Sequence, residues 1–288
     1  MAASSAIEWT DATWNVITGC SRVSRGCGGP DGGGCYAERL AATRLKWHPS
    51  RRGLTDAHGR WTGEVRFNRQ WLDQPLHWRK PRRIFVCAHS DLFHEAVPDE
   101  WIDLVFGTML HADRHAYQVL TKRPGGMRDH MSDPLSFERA RMSAAVRHYY
   151  DAYSDAERLL HGHWPPRHVW LGASAEDQRT FDERIPLLLE TPATVRWISA
   201  EPLLGPIDLR GAGLDWVVAG GESGPGARPM RADWVRSLRD QCADLGVPFF
   251  FKQWGGRTPK SRGRVLDGRT WSMMPPGNGG RRALGEAG

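Results

Sequence analysis

The chain has 288 residues, 40% of them hydrophobic and 25% charged, which suffices for a sizeable core and excludes wholesale disorder. Its 39 Lys and Arg against 33 Asp and Glu leave a net charge of +6, a mild excess that suits an anionic partner but does not identify one. No apolar run reaches the ~20 residues of a membrane span, and residues 1–14 lack the basic and apolar regions of a secretory leader, so a soluble, cytoplasmic protein with no membrane partner is expected.

Taken in chain order, residues 13–18 read as a first strand that runs straight into a cysteine-rich loop. A helix is predicted over 36–47. Short apolar runs rich in β-branched and aromatic residues follow at 84–88, 117–121, 169–173, 195–199, 216–219 and 248–252, and each reads as a buried parallel strand. Between them the pattern predicts helices over 98–111, 137–160, 177–189 and 233–245, the last stopped by Gly246. Strands alternating with helices imply a parallel sheet. The fold class is therefore α/β, a complete or partial TIM-type (β/α) barrel, with a doubly wound sheet as the alternative. One domain spans 1–288. It includes a cysteine loop at 19–36, a peripheral helical insertion at about 135–166 and a basic C-terminal extension at about 256–288.

Three strands share a pattern, beginning at Trp170, Trp197 and Trp216 and passing through small residues to Ser174, Glu201 and Glu222. Small residues at a strand's C-terminal end let a ligand approach the backbone, and barrel active sites lie at that end. The tryptophans read as core, the polar endings as candidate site residues. Glu201 and Glu222 would bind a ligand ammonium or ribose hydroxyl there, or else pair with Arg196 or Arg228; Ser174 and Glu176 are placed alike. Lys122 and Lys252, also at strand ends, suit a ligand carboxylate or phosphate, whereas Arg123 reads as an ordinary ion-pair partner. Asp91 and His94 follow a strand and form a candidate acid/base pair. No P-loop, dinucleotide fingerprint, H-E-x-x-H or G-x-S-x-G motif is present.

Three of the five cysteines, Cys20, Cys27 and Cys35, fall in one stretch that also holds Gly26, Gly28, Gly29, Gly32, Gly33 and Gly34. Such a backbone can wrap a compact object and turn several thiolates inward, so a metal centre is expected. Structural zinc prefers four ligands and short C-x₂₋₄-C pairs, which neither gap provides; His48 is the only nearby candidate for a fourth ligand. Three thiolates without an evident fourth suit an iron–sulfur cluster with one open iron. Zinc remains the alternative, in a nucleic-acid-binding or partner-binding protein without catalysis. Cys87 and Cys242 read as buried thiols, with Cys87, inside a strand, a lesser candidate ligand should it face the barrel interior.

The segments Thr13-Trp14-Asn15, Thr18-Gly19-Cys20 and Cys35-Tyr36-Ala37-Glu38 resemble the opening of a three-cysteine-motif family of phage-type proteins. Further matches are Ser90 to His94, Leu120 to Pro124, Ser199 to Pro206, Gly220 to Gly224, Phe250 to Gly255 and Leu266 to Trp271. That family is similar to a divergent branch of the radical S-adenosylmethionine (SAM) enzymes and to spore photoproduct lyase. The resemblance implies a [4Fe–4S] cluster on Cys20, Cys27 and Cys35. It also implies SAM as a second cofactor, cleaved reductively to a 5′-deoxyadenosyl radical, and an electron donor such as flavodoxin or ferredoxin. Gly220, Gly221 and Glu222 correspond to a Gly-Gly-Glu element that grips the SAM amino group, although here that element follows a late strand. Both cysteine gaps are longer than the usual C-x₃-C-x₂-C. Nucleic acid is the substrate class that the comparison favours, with a sugar, peptide or small metabolite as the alternatives. A nucleic-acid substrate would bind less tightly as salt rises, and Lys260, Arg262 and Arg264 would contribute to that slope.

Overall fold

In the computed structural model, which describes residues 5–147, 163–258 and 260–276, the apolar runs become seven strands. They are β1 Ala12–Trp14, β2 Arg83–Val86, β3 Ala116–Thr121, β4 Val169–Ser174, β5 Val195–Ala200, β6 Trp216–Gly220 and β7 Phe249–Gln253. Each pairs in parallel with its neighbours in the chain, so the sheet runs in sequence order from β1 to β7. A doubly wound sheet reverses its order at a switch point; this one does not. Crossovers of one hand put all the helices on one face, and the sheet curls away from them. The result is an α/β half-barrel compatible with a partial TIM-type barrel. Among the described residues β1 and β7 are the two end strands of the sheet and do not pair with each other.

Period-two alternation divides the side chains between two cores. Ile84, Val86, Val119, Leu171, Ile198, Val217 and Phe251 face the helices and meet Val105, Phe106, Ile185, Leu188, Val235 and Leu238. Those partners come from α3 Asp99–His111, α6 Gln178–Glu190 and α7 Ala232–Leu245; the remaining helices are α1 Tyr36–Ala42, α2 Gln74–His77, α4 Pro124–Ser132 and α5 Ser136–Arg147. Phe85, Trp170, Trp197, Trp216 and Phe250 point inward and pack around Trp9. The Trp9 ring lies 4.8 Å from Phe85, 5.5 Å from Trp197 and 6.0 Å from Trp216, centroid to centroid. A Cβ on Gly172 would come within 2.5 Å of the Trp197 ring, so glycine there makes room for the indole across β4. The tryptophans are core. They fill the concave side and leave the strand C-terminal ends to polar groups.

Several expected bounds change. The strand expected at 13–18 divides in two: after β1, Ile17–Thr18 leaves the sheet to pair antiparallel with Arg66–Phe67. Asn68 enforces this, its backbone N–H donating to the Val16 carbonyl at 2.7 Å and its side-chain amide to Thr18 Oγ1 at 3.2 Å. The helix expected over 36–47 ends at Ala42, and Thr43 turns its hydroxyl back to the Arg39 carbonyl. The insertion begins with α5, docked on α3 through Arg139 Nε to Asp103 Oδ2 at 2.8 Å; residues 148–162 lie outside the described residues.

The described part of the basic extension, up to residue 276, is held on the barrel. Residues 271–273 run antiparallel along β7, with the Phe251 N–H donating to the Trp271 carbonyl and the Met273 N–H to that of Phe249. Arg264 donates to the Trp271 carbonyl and to Ser272 Oγ and stacks 4.7 Å over the Phe250 ring. Lys260 pairs with Glu8 at 2.7 Å. Lys260 and Arg264 therefore help hold this segment on the barrel. Arg281 and Arg282 lie outside the described residues. Among the described residues, no helix is long and apolar enough to cross a membrane.

His130 on α4 makes stability depend on pH. It is buried between Phe106 and Phe93, 5.4 and 6.3 Å away, its ring nitrogens make no hydrogen bond, and burial pushes the imidazole down to about 4. The unfolded chain therefore binds this proton first, so the contribution is complete above pH ~6.5 and is lost as pH falls toward ~4. A drop of ~2.5 units corresponds to at most about 3 kcal/mol. Denaturant titrations at pH 7 and pH 4 should show a loss of this order in the native chain and a smaller one in His130→Phe. Equal losses would remove His130 as the cause.

Candidate functional site

Lys122, Ser174, Glu176, Glu201, Glu222 and Lys252 lie at or just beyond the C-terminal ends of strands, Asp91 and His94 lie in the loop after β2, and the cysteine loop meets these ends. The loop starts at Gly19, whose φ of +95° and a Cβ position only 2.2 Å from the Glu64 carbonyl both require glycine. Ser90 Oγ fixes this start by donating to the Gly19 carbonyl at 2.6 Å. Cys20 follows. Cys27 ends a 3₁₀ turn at Arg25–Cys27, and Cys35 is the N-cap of α1.

Burial pushes the Cys20 thiol up to about 12, with Asp91 adding to the rise and the Arg123 guanidinium opposing it. Burial also raises the Cys35 thiol, against the backbone amides of Glu38 and Ala37 at the start of α1. Each of these two thiols is raised further by Cys27, and Cys20 also by Cys35, so the three share one electrostatic neighbourhood. Arg123 Nη1 stands 3.8 Å from Cys20 Sγ, a contact beyond the ordinary ion pair expected of it. Cys87 and Cys242 lie outside this group and are buried, their thiols pushed up to about 12 by desolvation. His48 is hydrogen-bonded to Ser50 Oγ at 2.7 Å, within its own turn. Among the described residues, no group of three or more His, Cys, Asp or Glu side chains is placed to hold a metal ion.

Two buried carboxylates meet the loop. Glu176 takes Arg184 Nη1 at 2.8 Å on Oε2, while Lys122 Nζ lies 3.7 Å from Oε1 and Ser24 Oγ donates to the same oxygen. Glu222 takes Arg228 through its backbone N–H at 3.0 Å, Nε at 2.9 Å and Nη2 at 2.8 Å, and also the N–H of Gly34 at 3.0 Å. Burial works against ionisation in both, yet Lys122 and Arg184 hold Glu176, and Arg228 holds Glu222, below the usual carboxylate range.

The chain belongs to the family described as a protein of unknown function (DUF5131). That family's sequence model matches residues 4–275. No curated protein and no solved structure matches the chain.

In this DUF5131 chain, Glu201 shares its carboxylate between Ser199 Oγ at 3.0 Å and Lys252 Nζ at 3.0 Å. Arg196, weighed above as its partner, bonds to the Thr191 carbonyl instead. Ser174 is buried on β4, and its carbonyl accepts from Arg184 Nη1 at 2.9 Å. Gly220 and Gly221 are explained by packing. A Cβ would stand 2.5 Å from Glu201 Oε1 at the first and 2.1 Å from the Trp254 carbonyl oxygen at the second.

Asp91 and His94, expected as an acid/base pair, bond to different partners. Asp91 is saturated by Thr121 Oγ1 at 2.6 Å, the amides of Lys122 and Phe93 at 3.0 and 3.1 Å, and Arg123 Nη1 at 3.3 Å. His94 Nδ1 accepts from the Ala96 N–H at 3.1 Å, which leaves the ring proton on Nε2 to donate to Ser21 Oγ at 2.9 Å. Burial and then Arg123 lower the pKa of this imidazole. Ser21, Ser24, Arg184 and Arg228 complete the site. Only Arg228 was weighed from sequence; the others carry no motif, and their signal is contact between distant segments.

Asp91 is thus a structural hub, and Asp91→Ala should lower unfolding stability by about 2–4 kcal/mol by leaving the Thr121 hydroxyl and two backbone donors without their acceptor, while Arg123 keeps Glu95. Equilibrium denaturation measures the change. A loss below ~0.5 kcal/mol would reopen a catalytic assignment for this residue.

Proposed function

We propose that this protein is a radical SAM-type enzyme whose Cys20, Cys27 and Cys35 hold a [4Fe–4S] cluster with one iron open. The observation that carries this reading is the convergence of three thiols on one glycine-rich loop, which leaves the first strand of an open parallel barrel and covers the strand C-terminal ends. A cubane takes each thiolate on a different iron, so its ligands stand further apart than those around one ion. Three cysteines without an evident fourth ligand, at spacings unlike the short C-x₂₋₄-C pairs of structural zinc, favour the cluster.

Cys20, Cys27 and Cys35 would hold the cluster, which, with a one-electron donor such as flavodoxin or ferredoxin, would supply the electron for reductive cleavage of SAM to methionine and a 5′-deoxyadenosyl radical. The chain's own residues prepare the site. Arg123 beside Cys20 and the first amides of α1 beside Cys35 partly offset the burial that disfavours the thiolates ligation requires. Glu201 and Lys252 offer a carboxylate and an ammonium 3.0 Å apart, suited to the zwitterionic end of SAM. Glu222 is saturated by Arg228 and Gly34, so the ammonium contact passes in this proposal from Glu222 to Glu201.

The experiment is anaerobic reconstitution with iron and sulfide, followed by dithionite and SAM, with 5′-deoxyadenosine as the readout; no substrate is needed. Native protein should produce it and Cys27→Ala should not. Glu201→Gln should weaken SAM binding by about 1.5–3 kcal/mol, or roughly 10- to 150-fold. Fully loaded protein that neither binds nor cleaves SAM would overturn the proposal. Stoichiometric zinc without iron or sulfide would assign the loop to a zinc-stabilised binding protein.

A further inference from the structure

Each of the three cysteines stands next to a residue that the barrel pins. Ser21, after Cys20, receives Arg123 Nη2 at 2.6 Å and bonds to His94 Nε2 at 2.9 Å. Gly26, before Cys27, is pressed on Glu176; a Cβ there would lie 2.1 Å from Oε1, and Ser24 Oγ donates to the same carboxylate. Gly34, before Cys35, donates its N–H to Glu222 at 3.0 Å, and a Cβ on neighbouring Gly33 would lie 2.3 Å from Glu222 Oε2. Gly33 is also fixed by its N–H to the Gly226 carbonyl at 2.8 Å. Between the two carboxylate contacts the chain closes on itself, Gly29 pairing with Gly32 in both directions.

The symmetry of the two contacts bears on their role. Glu176 and Glu222 are both buried, and each is matched by an arginine of its own, Arg184 or Arg228. A buried carboxylate needs such a partner to remain charged. Each therefore stays ionised and spends its remaining acceptor capacity on the loop. The glycines opposite them are the complementary surface, because any side chain there would overlap the carboxylate.

We infer that Glu176 and Glu222 are positioning residues that hold the cysteine loop against the strand C-terminal ends, independently of metal. Metal loops in small domains commonly fold only on binding, and the binding free energy is then spent on ordering the chain. Here contacts to the folded barrel order the loop, so its shape does not depend on binding free energy. The inference rests on the reading of the three cysteines as ligands, not on which metal they take or on SAM.

The test uses the full-length protein, metal-free and reduced under anaerobic conditions, with iodoacetamide alkylation of each cysteine followed by peptide mass spectrometry. In native apo-protein, Cys20 and Cys35 should react at least tenfold more slowly than in urea-unfolded chain. Glu222→Gln should raise the rate at Cys35 at least tenfold and Glu176→Gln the rate at Cys27, while buried Cys242 on α7 stays protected and reports that the barrel is intact. Gly33→Ala leaves every charge in place and should mimic Glu222→Gln at Cys35. The double variant Glu222→Gln, Arg228→Leu removes the stranded cation; it should recover thermal stability yet keep the fast alkylation of Cys35. Native apo-protein whose Cys20 and Cys35 react as fast as in urea would overturn the inference, as would loop variants that alkylate at the native rate. Either outcome leaves the 5′-deoxyadenosine assay to judge the enzyme reading separately.

Discussion

Parallel strands cannot be joined by tight turns, and that constraint shapes the whole molecule. Each strand must return through a crossover, and crossovers of one hand laid in sequence order send the helices to one side. The sheet then curls, and its concave face has to be filled. Trp9, Trp170, Trp197, Trp216 and Phe250 do this, with Gly172 yielding the space that one indole needs. Burying roughly 150–250 Å² per aromatic ring, at about 25 cal/mol per Å², contributes on the order of 4–6 kcal/mol each before entropy is subtracted. With the lower part of the barrel sealed, polar chemistry is confined to the opposite end.

At that end the dominant problem is charge rather than apolar area. Glu176, Glu222 and Asp91 are buried carboxylates, and an unpaired buried carboxylate would shed its charge. Arg184, Arg228 and Arg123 prevent this from three different segments. Because the pairs join distant parts of the chain, they act as registration points as well as counter-ions. Replacing such pairs with apolar residues is often neutral or stabilising elsewhere, so their value here lies in placement of the loop.

The strand runs were legible because apolar, β-branched and aromatic residues cluster at them, and the cysteines because so much glycine surrounds three thiols. The inward or outward sense of each strand residue was not, since strands buried on both faces lose polar alternation. The break after Trp14 was hidden because Asn68, which causes it, lies more than fifty residues away. Glu222 illustrates the general limit. Its two possible partners, ligand ammonium or Arg228, are chemically equivalent in sequence, and only three-dimensional contact separates them. Gly26 and Gly33 looked like sources of flexibility and turned out to be close-approach surfaces for carboxylates.

An open barrel has two free edges, and a closed one has none. The β7 edge would present a row of unpaired backbone donors and acceptors, beside the apolar residues Phe249, Phe250 and Phe251, to any strand that met it. Residues 271–273 occupy that row from within the same molecule, fastened by the Arg264 and Trp271 contacts. This short stretch thus works as an intramolecular shield against edge-to-edge aggregation. Loosening it would make the barrel sticky long before it unfolded.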